Sequence, residues 1–487
     1  MYKLTLSCFF VFLFSSVVFA QEIRLQKGNV TDNIKISDST DATYAVYLPQ
    51  SYDMERPSPV IFILDPNGQA REAVQLFRQV AEDQNYVIAA SNQKIVGDSI
   101  EQDIMESVKF MNGFFRTIKV DPNLLYIAGI NKGAEIASAI PLINERVSGI
   151  LAINKAWINR KFIENREKPY ILSIVSGTRD YSRFGMIDVL DILNGEDYPT
   201  EINYFEGGPE SWPDTFTISN AVGKFTLEAM NNGERQKNDT VVNTIYQNEI
   251  KAIESLVRQG SYYTAFTQVK KAEEKFDDFG RFDDQLKDLR KEIRKTREFK
   301  QQRRKWFDIK EEETFQKEDY DHFLEVDIFT NNFENIGWWA EQLDNLKEGK
   351  ENKNLIERNR AYRLEGYLID LVSINYKTTI ASKASIDSKI FISILKTIVD
   401  KNDPDAYLSI VKLAGHDGDA ETAMLYLEDL LKTGYKDFNK LYEIEGILDL
   451  QMSTEFNLLI EEYGGEAKYI IFDSERETEE AEATKVN

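Results

Sequence analysis

The hydrophobic pattern of this sequence changes character once, near residues 232–240, and that change limits the fold more than any other feature. Over 43–208, short apolar runs alternate with longer amphipathic stretches, a pattern typical of a parallel sheet flanked by helices. Over 241–463, helical periodicity and charge dominate. The segment 232–240 has no apolar side chain, so we predict that it links two domains.

The first domain, residues 21–231, is predicted to be α/β with a mostly parallel sheet. Its short runs consist largely of Val, Ile, Leu, Ala and Tyr, as expected of strands that are buried on both faces. The predicted strands are 44–48, 60–64, 86–90, 124–130, 149–154, 170–176 and 202–205, and the predicted helices are 72–82, 100–118, 134–143 and 216–231. At 487 residues the chain is too long for one compact core, which fits two or more domains.

The second domain, residues 241–465, is predicted to be all-α. Within it, 283–323 is predicted to form a long charged helix or a pair of helices. Acidic clusters such as 311–313 would suit a cation, but charge runs of this kind usually form solvated helix faces. The tail 474–487 is acidic and has almost no apolar residues, so we expect it to be disordered.

The N-terminus has the features of a signal peptide, residues 1–20. Lys3 precedes the largely apolar stretch 4–19, which ends at Ala20 before polar residues. The stretch is shorter than the roughly 20 residues that span a bilayer, which disfavours a membrane anchor. A lipoprotein would need Cys8 as its acylated residue, and the residues before Cys8 fit that signal poorly. We therefore expect export to the periplasm or the cell surface, with no transmembrane segment after cleavage.

Composition makes several classes of function improbable. Cys8 is the only cysteine, so the mature chain is not expected to hold a disulfide or a thiolate metal site. The net charge of −23 argues against nucleic acid, whose phosphates need clustered Lys and Arg. His322 and His416 lie far apart in sequence, which disfavours a histidine-based metal site. We expect no metal and no cofactor.

A strand, a tight turn and a helix are predicted in succession around Asn131. The strand 124–130 runs into Gly-Ile-Asn-Lys-Gly at 129–133, and a helix follows. Side chains in place of the two glycines would clash in so sharp a turn. This arrangement resembles the nucleophile elbow of α/β-hydrolases, in which the middle residue of G-x-S-x-G is held in a strained turn above the sheet. The resemblance implies an α/β-hydrolase-like fold for the first domain.

Segments upstream of the elbow match the same family. Residues 44–49 and 59–68 are similar to the opening of secreted esterases related to feruloyl esterases and polyhydroxybutyrate depolymerases. In that family the loop after the second of these strands helps to build the oxyanion hole. The resemblance places Asn67 and Gly68 in that loop, and it extends over about residues 22–231.

Two segments downstream resemble the loops that carry the rest of a catalytic triad. The segment 173–180 resembles the strand end that bears the triad acid, which would be Asp180. The segment 205–213 resembles the G-G-x-H-x-W-P loop that bears the triad histidine, and Glu210 stands in the place of that histidine.

The groups that hydrolysis requires are therefore missing. Acyl transfer needs a hydroxyl that a base can deprotonate and an imidazole that returns the proton. Asn131 offers an amide instead, and no histidine occurs between Gln21 and Asp321. Loss of either essential member typically lowers the rate about 10⁶-fold. We expect no catalytic residues, with Asn131, Asp180 and Glu210 as degenerate positions.

An alternative places the chemistry on displaced residues. In that reading Ser211 or Ser176 is the nucleophile and Glu210 the base of a hydrolase for ester or glycan substrates. The chain contains no G-x-S-x-G, however, and a glutamate is a poor proton shuttle for serine at neutral pH unless its pKa is raised.

A cleft is expected to survive the loss of catalysis. We predict that Asn67, Gly68, Asn131, Lys132 and Trp212 line this residual pocket, which would bind a small ligand without chemistry. The other possibility is a scaffold kept only for its surface.

The helical domain offers candidate surfaces for partners. The order of residues in 259–272 and in 403–427 resembles tetratricopeptide repeats, although a plain helical bundle supplies similar helix pairs. Trp338 and Trp339 are adjacent on a predicted helix, so one is expected in the core and its neighbour at a contact surface. Tyr262 is a third candidate.

These inferences predict an exported, non-catalytic, hydrolase-like protein that acts as a binding or scaffold component of an envelope complex. Its expected partners are other envelope proteins, and the residual pocket is a candidate site for a small ligand. The alternative is a hydrolase with rearranged catalytic residues.

Overall fold

The computed structural model describes residues 25–95 and 99–469. The predicted signal peptide (1–20), with Cys8, and the predicted acidic tail (474–487) lie outside these ranges. Within them, every helix is too short or too polar to cross a bilayer.

One eight-stranded sheet organises the first half of the chain, in the order β1-β2-β4-β3-β5-β6-β7-β8. The strand β2 is antiparallel to both of its neighbours, and all other neighbouring pairs are parallel. The strands are β1 (Val30–Lys35), β2 (Thr43–Tyr47), β3 (Ser58–Leu64), β4 (Val87–Ser91), β5 (Val120–Ile130), β6 (Val147–Ile153), β7 (Ile171–Gly177) and β8 (Thr200–Phe205). A mostly parallel sheet is therefore confirmed.

Helices cover both faces of this sheet, which explains why the central strands are apolar throughout. All residues of β3, β4 and β7 are buried, as parallel strands between two helical layers require. The helices of this half are α1 (Ala70–Leu76), α2 (Arg78–Gln84), α3 (Ile100–Thr117), α4 (Lys132–Ala139), α5 (Arg160–Asn165), α6 (Arg183–Gly195) and α7 (Thr215–Asn231).

Every predicted strand is present, and the differences lie in the more polar elements. The edge strand β1 was not predicted, because only Ile34 of its six residues is buried and so the apolar alternation is absent. The predicted helix 72–82 is two helices, since Phe77 ends α1 and precedes α2. The helices α5 and α6 were also not predicted.

The second half of the chain is helical, as predicted. Its helices are α8 (Asp239–Arg258), α9 (Tyr262–Lys275), α10 (Asp283–Lys295), α11 (Arg297–Thr330), α12 (Ile336–Gly349), α13 (Leu355–Ala381), α14 (Ile386–Val399), α15 (Pro404–Asp417), α16 (Ala420–Lys432), α17 (Phe438–Tyr442), α18 (Leu448–Gln451) and α19 (Thr454–Glu462). The charged stretch 283–323 belongs to a helix pair, because Thr296 interrupts the helix and its hydroxyl caps α11 by accepting from Phe299 N.

The segment 232–240 is held by contacts to the sheet side. Its last two residues already belong to α8, and the Arg235 guanidinium donates to the Gln84 carbonyl at 2.6 Å and lies over the Tyr86 ring. The helices α8 to α10 share one hydrophobic core with the sheet, so the division into two independent domains stays a prediction.

The predicted helix pair at 403–427 is present. The Asp403 side chain caps α15 by accepting from Asp405 N, and Pro404 occupies the first turn. The helix α16 follows after Gly418, whose φ is +85°. His416 lies in the last turn of α15. Assignment of these helices to tetratricopeptide repeats stays a prediction.

Candidate functional site

The turn around Asn131 has the geometry of a nucleophile elbow. Asn131 lies between β5 and α4 with φ 50° and ψ −118°, a backbone conformation that L-residues rarely adopt. A Cβ on Gly129 would lie 2.3 Å from the Gly133 carbonyl oxygen, and one on Gly133 would lie 2.0 Å from that of Leu64. The two glycines are therefore required by backbone contacts, as the sequence indicated.

The side chain of Asn131 is hydrogen-bonded to a neighbouring loop. Its Nδ2 donates to the backbone carbonyl of Pro209 at 2.7 Å, and its Oδ1 is buried without a hydrogen-bond partner among the described residues. Pro209 belongs to the loop after β8, where the hydrolase family carries its histidine. The space directly above the elbow thus holds a carbonyl group of the chain itself.

A second amide, which the sequence analysis missed, holds the same loop. Asn154 follows β6, is fully buried and has φ +66°. Its Nδ2 contacts the carbonyl oxygens of Gly208 at 3.4 Å and Pro209 at 3.3 Å, while its Oδ1 accepts from Gly177 N at 3.1 Å. An asparagine directly after an apolar strand run was the only signal in the sequence. Asn131 and Asn154 together fix the loop over the carboxyl edge of the sheet.

Asp180, at the position of the triad acid, is buried and faces serine rather than histidine. Its carboxylate accepts from Ser182 N at 2.7 Å, and the Ser182 hydroxyl donates to the same oxygen. Burial raises the pKa of Asp180, although the hydrogen bonds from Ser182 and the charges of Lys155 and Lys317 act in the opposite direction. The two hydrogen bonds from Ser182 to the Asp180 carboxylate stabilise the turn that leads into α6.

The alternative catalytic groups are Glu210, Ser211 and Ser176. Glu210 is exposed and makes no hydrogen bond or ion pair with any described residue. The Ser211 hydroxyl accepts from Gly208 N at 3.3 Å, and Ser176 is fully buried in β7 with its hydroxyl unpartnered among the described residues. In the part of the chain that the structure describes, Glu210 is hydrogen-bonded to neither serine.

The backbone N–H groups of the loop after β3 donate hydrogen bonds within the loop itself. Asn67 N and Gln69 N donate to the Asp65 carboxylate at 3.3 and 2.8 Å, and Gly68 N donates to the Asp65 carbonyl at 3.0 Å. An oxyanion hole built on this loop would need these same N–H groups as hydrogen-bond donors. Asn67 itself is exposed. Asp65 thus stabilises this turn.

The five residues predicted to line one residual pocket differ in their local contacts, and their grouping in one pocket stays a prediction. Asn131 meets the Pro209 loop, Lys132 pairs with Glu135 at 3.2 Å, and Trp212 packs against the core on the α7 side of the sheet. A cavity of about 450 Å³ lies beside β3, β4 and α3, and another of about 260 Å³ lies beside α4 and α5. Neither has any of the five predicted residues in its lining.

The helical half covers the loops that would carry the triad. The Arg363 guanidinium, on α13, donates to the carbonyl of Thr178 at 2.8 Å and is paired with Glu313 of α11 at 2.7 Å. Burial would raise the pKa of Glu313, but the charges of Arg363 and Lys317 outweigh it and leave that pKa below its ordinary value. The pair is buried, so it fixes α11 and α13 against the loop after β7.

Further contacts join the same surfaces. The Tyr181 hydroxyl donates to Asp370 at 2.6 Å, and Lys317 Nζ donates to the Tyr181 carbonyl at 2.8 Å. Burial, followed by the hydrogen bond to Asp370, raises the pKa of Tyr181 well above its ordinary range. Gly366 of α13 faces Tyr181 and Pro209, and a Cβ there would lie 3.2 Å from the Tyr181 ring. The helix therefore packs directly on the loop that Asn131 holds.

Arg183 is enclosed at this interface. Its guanidinium lies 4.3 Å from the ring centre of Tyr204 and 5.0 Å from that of Trp306 on α11, a cation–π arrangement. Burial lowers the pKa of Arg183 to about 10. Because Arg183 contacts one ring from β8 and one from α11, it stabilises the packing of the long helix against the sheet.

The partner-binding candidates occupy different environments. Trp339 is buried, and its indole N–H donates to Asp327 at 2.8 Å. Trp338 is half-buried beside Phe323 of α11, with ring centres 5.5 Å apart. Tyr262 is half-buried and packs against the main core. The expectation that one tryptophan lies in the core is confirmed, and Trp338 is the one that reaches the surface.

The described residues contain no group of three or more His, Cys, Asp or Glu side chains arranged to hold a metal ion.

The strand order, the antiparallel β2 and the elbow after β5 define the first half as an α/β-hydrolase-type fold, here followed by a large helical region. No protein-family model matches the chain, and comparison with curated proteins gave no match.

Among solved structures, the chain is similar to esterases and hydrolases. S-formylglutathione hydrolase from Staphylococcus aureus is 12% identical, with 41% of this chain and 98% of that chain covered and a TM-score of 0.34. A ferulic acid esterase is 13% identical, with coverage of 41% and 97% and a TM-score of 0.31. A putative dienelactone hydrolase from Klebsiella pneumoniae is 14% identical, with coverage of 46% and 97% and a TM-score of 0.32. At these identities the likeness concerns the fold.

Proposed function

We propose that this chain is an exported, non-catalytic protein that acts as a binding or scaffold component of a complex in the cell envelope. The observation that carries the proposal is Asn131 at the elbow, with its amide bound to the Pro209 carbonyl at 2.7 Å. An amide at this position supplies no nucleophile. The export step rests on the apolar stretch 4–19 and the small residue at Ala20.

The contacts between the halves support a structural use of the former catalytic edge. Arg363 and Lys317 donate to backbone carbonyls of the loop after β7, and Gly366 lies against Pro209. In a working hydrolase this edge must admit substrate. Here it carries the helical half, so we propose that the α/β half serves to position the helical half for partners.

The test is an assay of the chain from residue 21 onward on p-nitrophenyl acetate and butyrate. We expect wild type and Asn131→Ser to turn over ester at the rate of buffer, because the sequence between Gln21 and Asp321 contains no histidine to act as the base. Wild-type turnover that is lost on Ser211→Ala or Glu210→Gln would overturn the proposal in favour of a rearranged hydrolase. Ser51→Ala, a hydroxyl at the opposite edge of the sheet, serves as the control variant.

A further inference from the structure

The long helix α11 presents an apolar stripe to solvent. Five large hydrophobic residues on it are exposed, from 41% for the least to 86% for the most: Phe307, Phe315, Phe323, Val326 and Phe329. A helix turns about 100° per residue, so relative to Phe307 the other four lie at about 80°, 160°, 100° and 40° in that order. The stripe spans about 33 Å along the axis.

This stripe lies opposite the face by which α11 packs on the protein. The buried residues Ile309, Tyr320 and Leu324 lie at about 200°, 220° and 260° on the same scale. The helix α11 packs against α9, α13 and α14. The helix α11 therefore has hydrophobic residues on two faces. Packing against the rest of the protein accounts for those on the buried face but not for those on the exposed face. Five large hydrophobic side chains exposed on one face of a helix make this face a candidate interaction surface.

The charges along the stripe are of one sign. Between Phe307 and Phe329, both lysines are neutralised, since Lys310 pairs with Asp188 and Lys317 with Glu313. The exposed carboxylates within the stripe have no ion-pair partner among the described residues: Asp308, Glu311, Glu318, Asp319 and Glu325. The free charge of this surface is therefore acidic.

We infer that the α11 face, defined by the five hydrophobic residues above, is a docking surface for a basic amphipathic helix of a partner protein. The apolar side of such a helix would cover the phenylalanines, and its Lys and Arg would meet the unpaired carboxylates. The acidic charge disfavours an anionic bilayer as the occupant, because its lipids would be repelled. The inference names the partner chemistry of the proposed scaffold and rests on that function.

Binding of synthetic peptides to the full mature chain tests the inference. The probe is an 18-residue peptide of lysine and leucine at helical spacing, and the comparison peptide carries glutamate in place of lysine. We expect micromolar binding of the basic peptide and none of the acidic one. The double variant Phe315→Gln/Phe329→Gln should weaken binding about tenfold or more, and so should Glu311→Lys/Glu318→Lys. Phe162→Gln, an exposed phenylalanine on α5, is the matched control and should bind as wild type does.

Equal affinity of wild type and both double variants would overturn the inference. So would a dimer in sedimentation equilibrium that Phe315→Gln/Phe329→Gln dissolves, since the face would then belong to a second copy. Binding to phosphatidylglycerol vesicles that is lost in the same variant would assign the face to a membrane and also overturn it. None of these outcomes depends on ester turnover, so failure here is distinguishable from failure of the non-catalytic proposal.

Discussion

The side-chain amide of Asn131 donates a hydrogen bond to the backbone carbonyl of Pro209, 78 residues further along the chain. In the family that the fold resembles, these two positions would face each other as nucleophile and histidine loop. Here they are joined directly, and the Asn131 side chain stabilises the loop.

Removal of this bond should lower stability. Asn131→Ala is expected to reduce the free energy of unfolding by about 1–3 kcal/mol, because the bond is lost and φ 50° strains alanine. Asn131→Gly loses the same bond but tolerates the positive φ, so it should cost less. Urea unfolding of both variants checks the order, and a more damaging glycine would contradict it.

The elbow should not tolerate a methyl group at its second glycine. Gly133→Ala would place Cβ 2.0 Å from the Leu64 carbonyl oxygen, so we expect a loss of about 3 kcal/mol or more, or failure to fold. Gly185→Ala is the matched control, because it lies in α6 with open space around it. That change should raise the melting temperature slightly, by helix propensity alone. Thermal unfolding followed by circular dichroism distinguishes the two.

The buried pair of Arg363 and Glu313 should be essential for docking of the helical half. Arg363→Met leaves Glu313 charged and buried, with only Lys317 beside it, and also frees the Thr178 carbonyl. Loss of one partner of such a pair costs about 3–5 kcal/mol. Arg358→Met, on the same helix and outside any ion pair of the described residues, should change stability little. Similar melting temperatures for the two variants would contradict the role of Arg363.

Asp180 should make the protein less stable as the pH rises. Burial raises its pKa in the folded chain above the ordinary 3.8, so the folded state binds the proton more tightly than the unfolded state. The contribution of this group to the free energy of unfolding therefore falls as the pH rises from about 3.8 and levels off above the folded pKa.

Asp180→Asn removes that dependence and can retain the bond from Ser182 N. The stability of the variant relative to wild type should thus increase as the pH rises from about 3.8 and level off above the folded pKa of Asp180. Asp191→Asn, which removes an exposed carboxyl of α6, controls for the change in net charge. A relative stability that falls with rising pH would contradict the expected sign.

The buried strands and the elbow could be predicted because their determinants are local. Continuous apolar runs identify strands with helices on both sides, and two glycines around Asn131 identify a turn that allows no side chains. The edge strand β1 was missed because it buries little, and Phe77 breaks a predicted helix without any Gly or Pro to signal it.

The contacts that define the site could not be predicted, because they join distant parts of the chain. Arg363 reaches Thr178 across 185 residues, and Asn154 reaches Pro209 across 55. The sequence around an arginine in a charged helix looks the same whether the side chain is solvated or buried. Likewise, the five residues assigned to one pocket were grouped by family position, and the bond from Asn131 to the Pro209 carbonyl has no local signal in the sequence.

The most direct measurement of the central claim is reaction of the mature chain with a fluorophosphonate, followed by intact-protein mass spectrometry. Such a reagent bonds covalently to any serine that a neighbouring base activates. The arrangement of Asn131, Pro209 and Glu210 predicts no increase in mass at reagent concentrations that label a serine esterase completely. A single stoichiometric adduct on Ser176 or Ser211 would show an activated nucleophile and contradict the account.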